Sequence, residues 1–452
     1  MGGVEDGWIA HPSHSTLSFL ARRWSKMKAI EFNFLGKEQA KELALSPAAG
    51  RLAEDTEHNS KPENVSSENI YITGDNLDAL KLLLPDYRSK VKMIYIDPPY
   101  NTGSNGLLYN DKFGGRSTSH AAWLSFMYPR LTLARDFLTD DGVIFVSIGD
   151  DEVHYLKVIM DEVYGENNFI ATLVRKTSSA ANHNSKNISV RHDYVVWYAK
   201  SILNVTVNKK LNMAMYPQID DYFSTRGRYE LNHLDSGSNG YSKSLDYPII
   251  APDGTEVWPG GDRDDTRYTW RWSKQKVEWG IKNGYITFKQ DRKGKWHVYY
   301  KIYEKVDNEG NPRIRELPFD SFITNAHNSA GTSEILDLFG WRAFEYPKPV
   351  ALVKHLLDMA SNKDSIVLDF FGGSSTTAHA VMEKNLEDNG NRKFIIVQKP
   401  EEINPNTLAY RKGYKTIDQI GRERIIRAAE KLKNKCPLFN FDFGFKHHIV
   451  RE

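Results

Sequence analysis

Short apolar runs ending on a small polar or acidic residue alternate along this chain with stretches whose apolar residues recur at helical spacing. Ile70-Tyr71-Ile72-Thr73 has the length of a strand and leads into a turn, Gly74-Asp75-Asn76. Leu77, Leu80, Leu82, Leu83 and Leu84 then suit one helix face. Val91 to Ile96 reads as a buried strand ending at Asp97, and His120 to Leu138 as a helix carrying Trp123, Phe126, Leu131 and Phe137. Gly142 to Ile148 is a further strand. Asp150 to Tyr164 is a helix with Asp150 and Asp151 as its expected caps. Phe169 to Val174 and Tyr194 to Tyr198 complete the set. Strands alternating with helices predict an α/β domain around a mostly parallel sheet.

The alternation stops near residue 200 and resumes near 347. Pro349 to Ser361 is helical, Ser365 to Leu368 is a strand ending at Asp369, Thr376 to Glu387 is a helix and Lys393 to Val397 a strand. Thr416 to Asn434 is a basic amphipathic helix with Ile417, Ile420, Ile425 and Leu432 as its apolar positions. The interval is rich in Gly, Asn, Asp and Tyr and holds Trp258, Trp270, Trp272, Trp279 and Trp296. The chain therefore divides into an N-terminal extension and linker (1–68), a first half-domain (69–200), an inserted domain (201–332), a second half-domain (333–405) and a C-terminal helical segment (406–452). Residues 51–68 are polar and read as linker. Met27, opening Met-Lys-Ala-Ile-Glu-Phe, is an alternative start.

At 452 residues the chain has room for two or three domains. No apolar run has the roughly 18 residues needed to span a bilayer, and no signal-peptide pattern opens the chain. A single cysteine, Cys436, excludes an internal disulfide and a cysteine-rich zinc site. No metal is expected, and the compartment is read as the cytoplasm. Net charge is only +2, so bulk charge does not announce a nucleic-acid partner. Its distribution says more. Arg267 to Lys305 holds eleven Lys/Arg against three Asp/Glu, and Leu408 to Lys435 nine against three. Such patches either bind phosphates or are solvated surface.

Two loops carry the chemistry. Asp97-Pro98-Pro99-Tyr100 follows a buried strand, at the end where open α/β sheets bind ligands. Asp97 accepts hydrogen bonds, two prolines stiffen the loop and donate nothing, and Tyr100 offers a flat ring. Together they describe a clamp for an amino group on an aromatic heterocycle. Asp369-Phe370-Phe371-Gly372-Gly373-Ser374-Ser375-Thr376-Thr377 also follows a strand and opens a helix. Its small residues let a ligand approach the backbone. It lacks the P-loop lysine and the three-glycine dinucleotide fingerprint, so a small zwitterion fits better than a phosphate.

These motifs, in this order, resemble the β-class of amino-methyltransferases, and within it the modification subunit of type III restriction-modification systems. The resemblance rests on Gly74-Asp75-Asn76-Leu77, Ile94 to Gly103, Tyr346-Pro347-Lys348-Pro349 and Asp369 to Ser374, and covers about residues 69–200 and 333–445. It implies a circularly permuted, Rossmann-like methyltransferase sheet that uses S-adenosylmethionine, with 201–332 as a target recognition domain. The implied activity is methylation of adenine N6 in duplex DNA, with N4-cytosine methylation or a catalytically impaired DNA-binding subunit as alternatives. Implied partners are double-stranded DNA, a restriction subunit and a second copy of the chain. Asp97 and the Pro98 carbonyl would accept the amino group beside Pro99, and Tyr100 would stack on the flipped base. Asp369, Phe371, Gly373 and Ser374 would form the methionine pocket, Lys348 would approach the cofactor carboxylate, Asp75 and Asn76 would lie near its adenine, and Gln398 near its ribose. Trp270, Arg271, Trp272 and Lys289 are candidate DNA contacts, with a small-domain core as the other reading of the tryptophans. One departure stands out: Ser375 replaces the second glycine of the family turn. If that position needs positive φ, serine costs about 1 kcal/mol there.

Overall fold

The computed structural model describes residues 31–103, 113–115, 118–180, 187–211, 216–238, 240–313, 316–436 and 441–452. The candidate start at Met27 lies outside the described residues. The chain forms two compact units, one of Lys209–Phe319 and one of the residues on either side of it.

The larger unit is built on a ten-stranded sheet. In chain order its strands are β1 (Arg51–Glu54), β2 (Ile70–Thr73), β3 (Val91–Ile96), β4 (Leu138–Ile148), β5 (Phe169–Lys176), β6 (His192–Ala199), β7 (Phe322–Ile323), β8 (Ile366–Asp369), β9 (Lys393–Gln398) and β10 (Lys446–Arg451). They lie side by side as β1-β10-β2-β9-β8-β3-β4-β6-β5-β7. From β10 through β4 every neighbour is parallel; β1 and β6 pair antiparallel with theirs. All six residues of β3 are buried, which is why it reads as a mostly apolar run, broken only by Lys92, rather than an alternating one. β8, late in the chain, inserts beside β3, which comes early. This is the permuted methyltransferase sheet.

Helices α1 (Lys37–Leu45), α2 (Asn76–Tyr87), α3 (Ser119–Phe137), α4 (Val153–Tyr164), α5 (Asn328–Phe339), α6 (Val350–Ala360), α7 (Thr376–Asp388) and α8 (Ile417–Lys435) belong to the same unit. Asp75 caps α2 by accepting from the Leu77 amide at 2.9 Å. Trp123, Met127, Leu131 and Phe137 of α3 join β3, β4 and α4 in the main core.

Three expectations are corrected. Residues 51–68 are not a linker: β1 pairs with β10, and four polar residues after it, His58, Asn59, Asn64 and Ser67, are buried. Asn59 exchanges hydrogen bonds with the His447 backbone at 3.1 and 2.7 Å, and Asn64 accepts from the Phe445 amide at 3.2 Å. In the basic helix α8 the expected apolar positions Ile417, Ile420, Ile425 and Leu432 are buried, but Asp418 and Arg424 are buried with them, so its polar face is not simply solvated. Asp150 and Asp151 do not cap α4, whose N-cap residue is Glu152.

The smaller unit is narrower than the expected insert, because its flanks serve the larger one. The Asn208 amide bonds the Met359 carbonyl at 2.8 Å, and β7 extends the large sheet. Within it, Ile286–Gln290, Trp296–Tyr303 and Tyr229–His233 form a three-stranded antiparallel sheet.

Candidate active site

Four neighbouring parallel strands, β2, β9, β8 and β3, point the same end at one cavity of about 290 Å³. Asp75 and Asn76 after β2, Gln398 ending β9, Asp369 ending β8 with Phe370 to Ser374, Thr376 and Thr377 after it, and Asp97 and Pro99 after β3 all line it, as do Lys348, Phe113, Phe126 and Glu401.

The turn after β8 is shaped by its own side chains. Asp369 accepts from the Phe371 amide at 3.0 Å and from the Thr377 hydroxyl at 2.5 Å. Burial pushes its carboxyl up to about 7, and the nearby charge of Asp97 adds to the effect. Gly373 and Ser375 both have positive φ, 50° and 61°. The position of Ser375 therefore does need the left-handed region. Its side chain is directed at α8 rather than the cavity: a Cβ added to Gly421 would stand 2.7 Å from the Ser375 hydroxyl. Behind the turn, the fully buried Arg424 of α8 donates to the Ser374 and Thr376 hydroxyls at 2.8 and 2.7 Å and pairs with Glu334 at 3.1 Å.

The Asp97 loop is held as firmly. The Pro99 carbonyl accepts from the buried Trp123 indole at 2.7 Å. Asn101, at φ 60°, donates to Glu152 at 2.6 Å, and Glu152 also bonds His120 at 2.7 Å. Glu152 is completely buried, which raises its carboxyl pKa. Gly149 sits against the Tyr100 ring, where a Cβ would come within 2.9 Å of Cδ2.

Two expected cofactor residues are engaged differently. Lys348 reaches both Asp97 oxygens, at 2.6 and 2.7 Å, and its ammonium lies 4.7 Å from the Tyr100 ring centre. Gln398 accepts from the Gly373 amide of the turn at 2.6 Å and donates to the carbonyl of its own neighbour Lys399 at 3.0 Å, so both ends of its amide have protein partners. Glu401, three residues on, is the carboxylate on that wall, its pKa raised by burial. Sequence reasoning missed it because nothing in the text separates it from the exposed Glu402. It also missed Arg424 and Glu152, whose importance lies wholly in distant partners.

In the smaller unit, Trp270 and Trp272 are core residues at 1% and 6% exposure, packed with Val277, Ile286 and Tyr300. The Trp270 indole donates to the Tyr247 carbonyl at 2.7 Å. Their rings are not presented for stacking, which corrects that expectation. Arg271 and Lys289 are exposed.

A family described as DNA methylase matches residues 91–407, which include both loops. The chain belongs to this family. It is similar to the Mod subunits of the type III restriction-modification enzymes StyLTI of Salmonella typhimurium (36% identical, covering 92% of this chain and 66% of that protein) and EcoPI of Escherichia phage P1 (35%, 89% and 69%). It is also similar to the EcoP15I Mod subunit of Escherichia coli (33%, 93% and 71%). The chain thus spans about two thirds of the length of these relatives. Among solved structures it is similar to the PvuII cytosine-N4-specific DNA methyltransferase, with TM-score 0.39, 13% identity and coverage of 79% of this chain and 95% of that one.

Proposed function

We propose that this chain transfers a methyl group from S-adenosylmethionine to the N6 amino group of adenine in duplex DNA, as the modification subunit of a type III restriction-modification system. The observation that carries the reading is the meeting of Asp97 with the Asp369–Thr377 turn on one cavity wall. Asp75 and Glu401 supply carboxylates for a nucleoside, Phe113, Phe126 and Phe371 an apolar shelf, and Ser374 a hydroxyl for a zwitterion. That donor set fits S-adenosylmethionine, which when bound supplies an electrophilic methyl group.

The chain's own residues would then select and hold the base. A target adenine must leave the duplex to reach a cavity of this kind. Asp97 would accept one N6 hydrogen, and Tyr100 would stack on the ring. Lys348 holds both oxygens of Asp97, and because a carboxylate has about four acceptor sites the same group can accept the incoming amine beside it. No covalent enzyme intermediate is required, and catalysis is positioning plus electrostatics. Arg271 and Lys289 of 209–319 would meet DNA phosphates, which position rather than specify. The domain roles assigned to 69–200, 201–332 and 333–405 belong to the same proposal, as do a restriction subunit, a second copy of the chain and a cytoplasmic location. Among the described residues no helix is long and apolar enough to cross a membrane.

The test is Asp97→Ala. Methylation of genomic DNA is expected to vanish while DNA binding and S-adenosylmethionine binding by calorimetry persist. Retained methylation in the variant overturns the assignment. Mass spectrometry of nucleosides from wild-type reactions separates N6-methyladenine from N4-methylcytosine, and light scattering reads assembly.

A further inference from the structure

Tyr100 is the one member of the Asp97 loop whose side chain is tied to the far side of the sheet. Its hydroxyl donates to Asp193 Oδ2 at 3.2 Å. Asp193, on β6, stands directly across the ladder from Arg175 on β5. Arg175 grips it with two parallel bonds, Nε to Oδ1 at 2.7 Å and Nη2 to Oδ2 at 2.5 Å, and gives its remaining nitrogen to the Ala326 carbonyl at 2.8 Å. The guanidinium is 1% exposed and Asp193 6%.

A buried ion pair is a poor source of stability, because removing two charges from water offsets most of their attraction. Its geometry, by contrast, is stiff: a forked pair fixes the carboxylate plane as well as its distance. The phenol that meets this plane stays protonated, since burial first and the Asp193 and Asp97 charges next raise its pKa well above the usual value. It therefore remains a donor across any working pH. Gly149 closes one flank of the ring, where even a methyl group would collide. A ring anchored at its hydroxyl keeps its long axis in place, and contact with Gly149 restricts its rotation about that axis.

From this geometry we infer that Arg175 and Asp193 are positioning residues that hold the Tyr100 hydroxyl, and with it the long axis of the ring, while Gly149 limits its rotation, and that together they fix the stacking site of the extruded base. The inference rests on the methyltransferase reading proposed above. It assigns a role to two residues outside both motif loops, neither of which touches substrate.

The experiment compares wild type, Asp193→Asn, Tyr100→Phe and the double variant. Asparagine keeps the size and an acceptor but loses the charge that matches the guanidinium. Thermal melting is expected to fall in Asp193→Asn, because Arg175 keeps a buried charge without its partner, so rates are read well below that transition; S-adenosylmethionine affinity by calorimetry is expected to stay near wild type. The single-turnover rate of methyl transfer to unmethylated genomic DNA is expected to fall about tenfold in each single variant, the scale of a misplaced reacting group. The double variant is expected to be no slower than Tyr100→Phe, because both changes break one bond. Multiplicative losses, or an unchanged rate in folded Asp193→Asn, overturn the inference. In protein labelled with 3-fluorotyrosine, the Tyr100 resonance, identified by its loss in Tyr100→Phe, is expected to shift in Asp193→Asn. If wild type methylates no DNA base at all, the function proposed above fails, and this resonance alone decides the positioning: an unmoved signal overturns it.

Discussion

Ser375 illustrates how one residue's cost depends on its neighbours. It holds φ 61° and ψ 38°, a left-handed conformation in which a side chain is strained. The fold tolerates it because Gly421 of α8 leaves room for its hydroxyl. Replacing Ser375 by glycine is expected to raise stability by about 1 kcal/mol in a denaturant titration. Calorimetry should find S-adenosylmethionine affinity unchanged, since the side chain is not on the cavity wall. Gly421→Ala should act in the opposite sense, by about 1–3 kcal/mol, because its methyl group meets the Gly373 carbonyl as well as Ser375. Equal stability of the glycine variant and wild type would show the strain to be relieved elsewhere. The positive φ was foreseeable from the turn; the accommodating glycine 46 positions later was not.

At the scale of elements, β8, its turn and α7 form a unit whose rigidity depends on buried polar groups. Asp369 bridges the Phe371 amide and Thr377, with its carboxyl pushed up to about 7 by burial. A folded-state pKa above the unfolded value of 3.8 means the folded chain retains a proton that the unfolded chain releases. The contribution is fully present below the unfolded pKa and is lost as pH rises through about 7. The difference in unfolding free energy between wild type and Asp369→Asn should therefore shift against wild type from about pH 4 to about pH 7, then level off. A difference that stays flat over that range in urea melts would contradict it. Helix α8 shows the limit of reading charge from sequence. Its basic residues are mostly committed, Arg422 to Asp418 at 3.2 Å, Arg424 to Glu334 at 3.1 Å and Arg427 to Glu423 at 2.6 Å. A count of Lys and Arg cannot distinguish a paired cation from a free one.

For the molecule as a whole, the 209–319 unit is where sequence and structure part most. Its tryptophans suited either a small-domain core, the favoured reading, or stacking on bases, and Trp270 and Trp272 lie in the core. The exposed cations remain as the candidates for DNA. Arg271→Ala and Lys289→Ala are each expected to weaken DNA binding across all sequences and to lower the salt slope of log affinity by about one. S-adenosylmethionine binding should be untouched. An unchanged slope in both variants would remove these residues from the interface.

The strands, the two loops that follow them and the class of chemistry were legible in the text, because each is encoded locally. A buried parallel strand shows as an apolar run, and a ligand-binding turn shows as the small or rigid residues that end it. What no local pattern contains is a partner. Lys348 reaches Asp97 across 251 positions, Tyr100 reaches Asp193 across 93, and Asn59 reaches His447 across 388. Those meetings arise from strand order: β8 inserts beside β3, β6 folds back against β4 and β10 closes on β1. The pairing of a polar side chain is settled by which distant group shares its desolvated space, and only the tertiary structure brings those groups together.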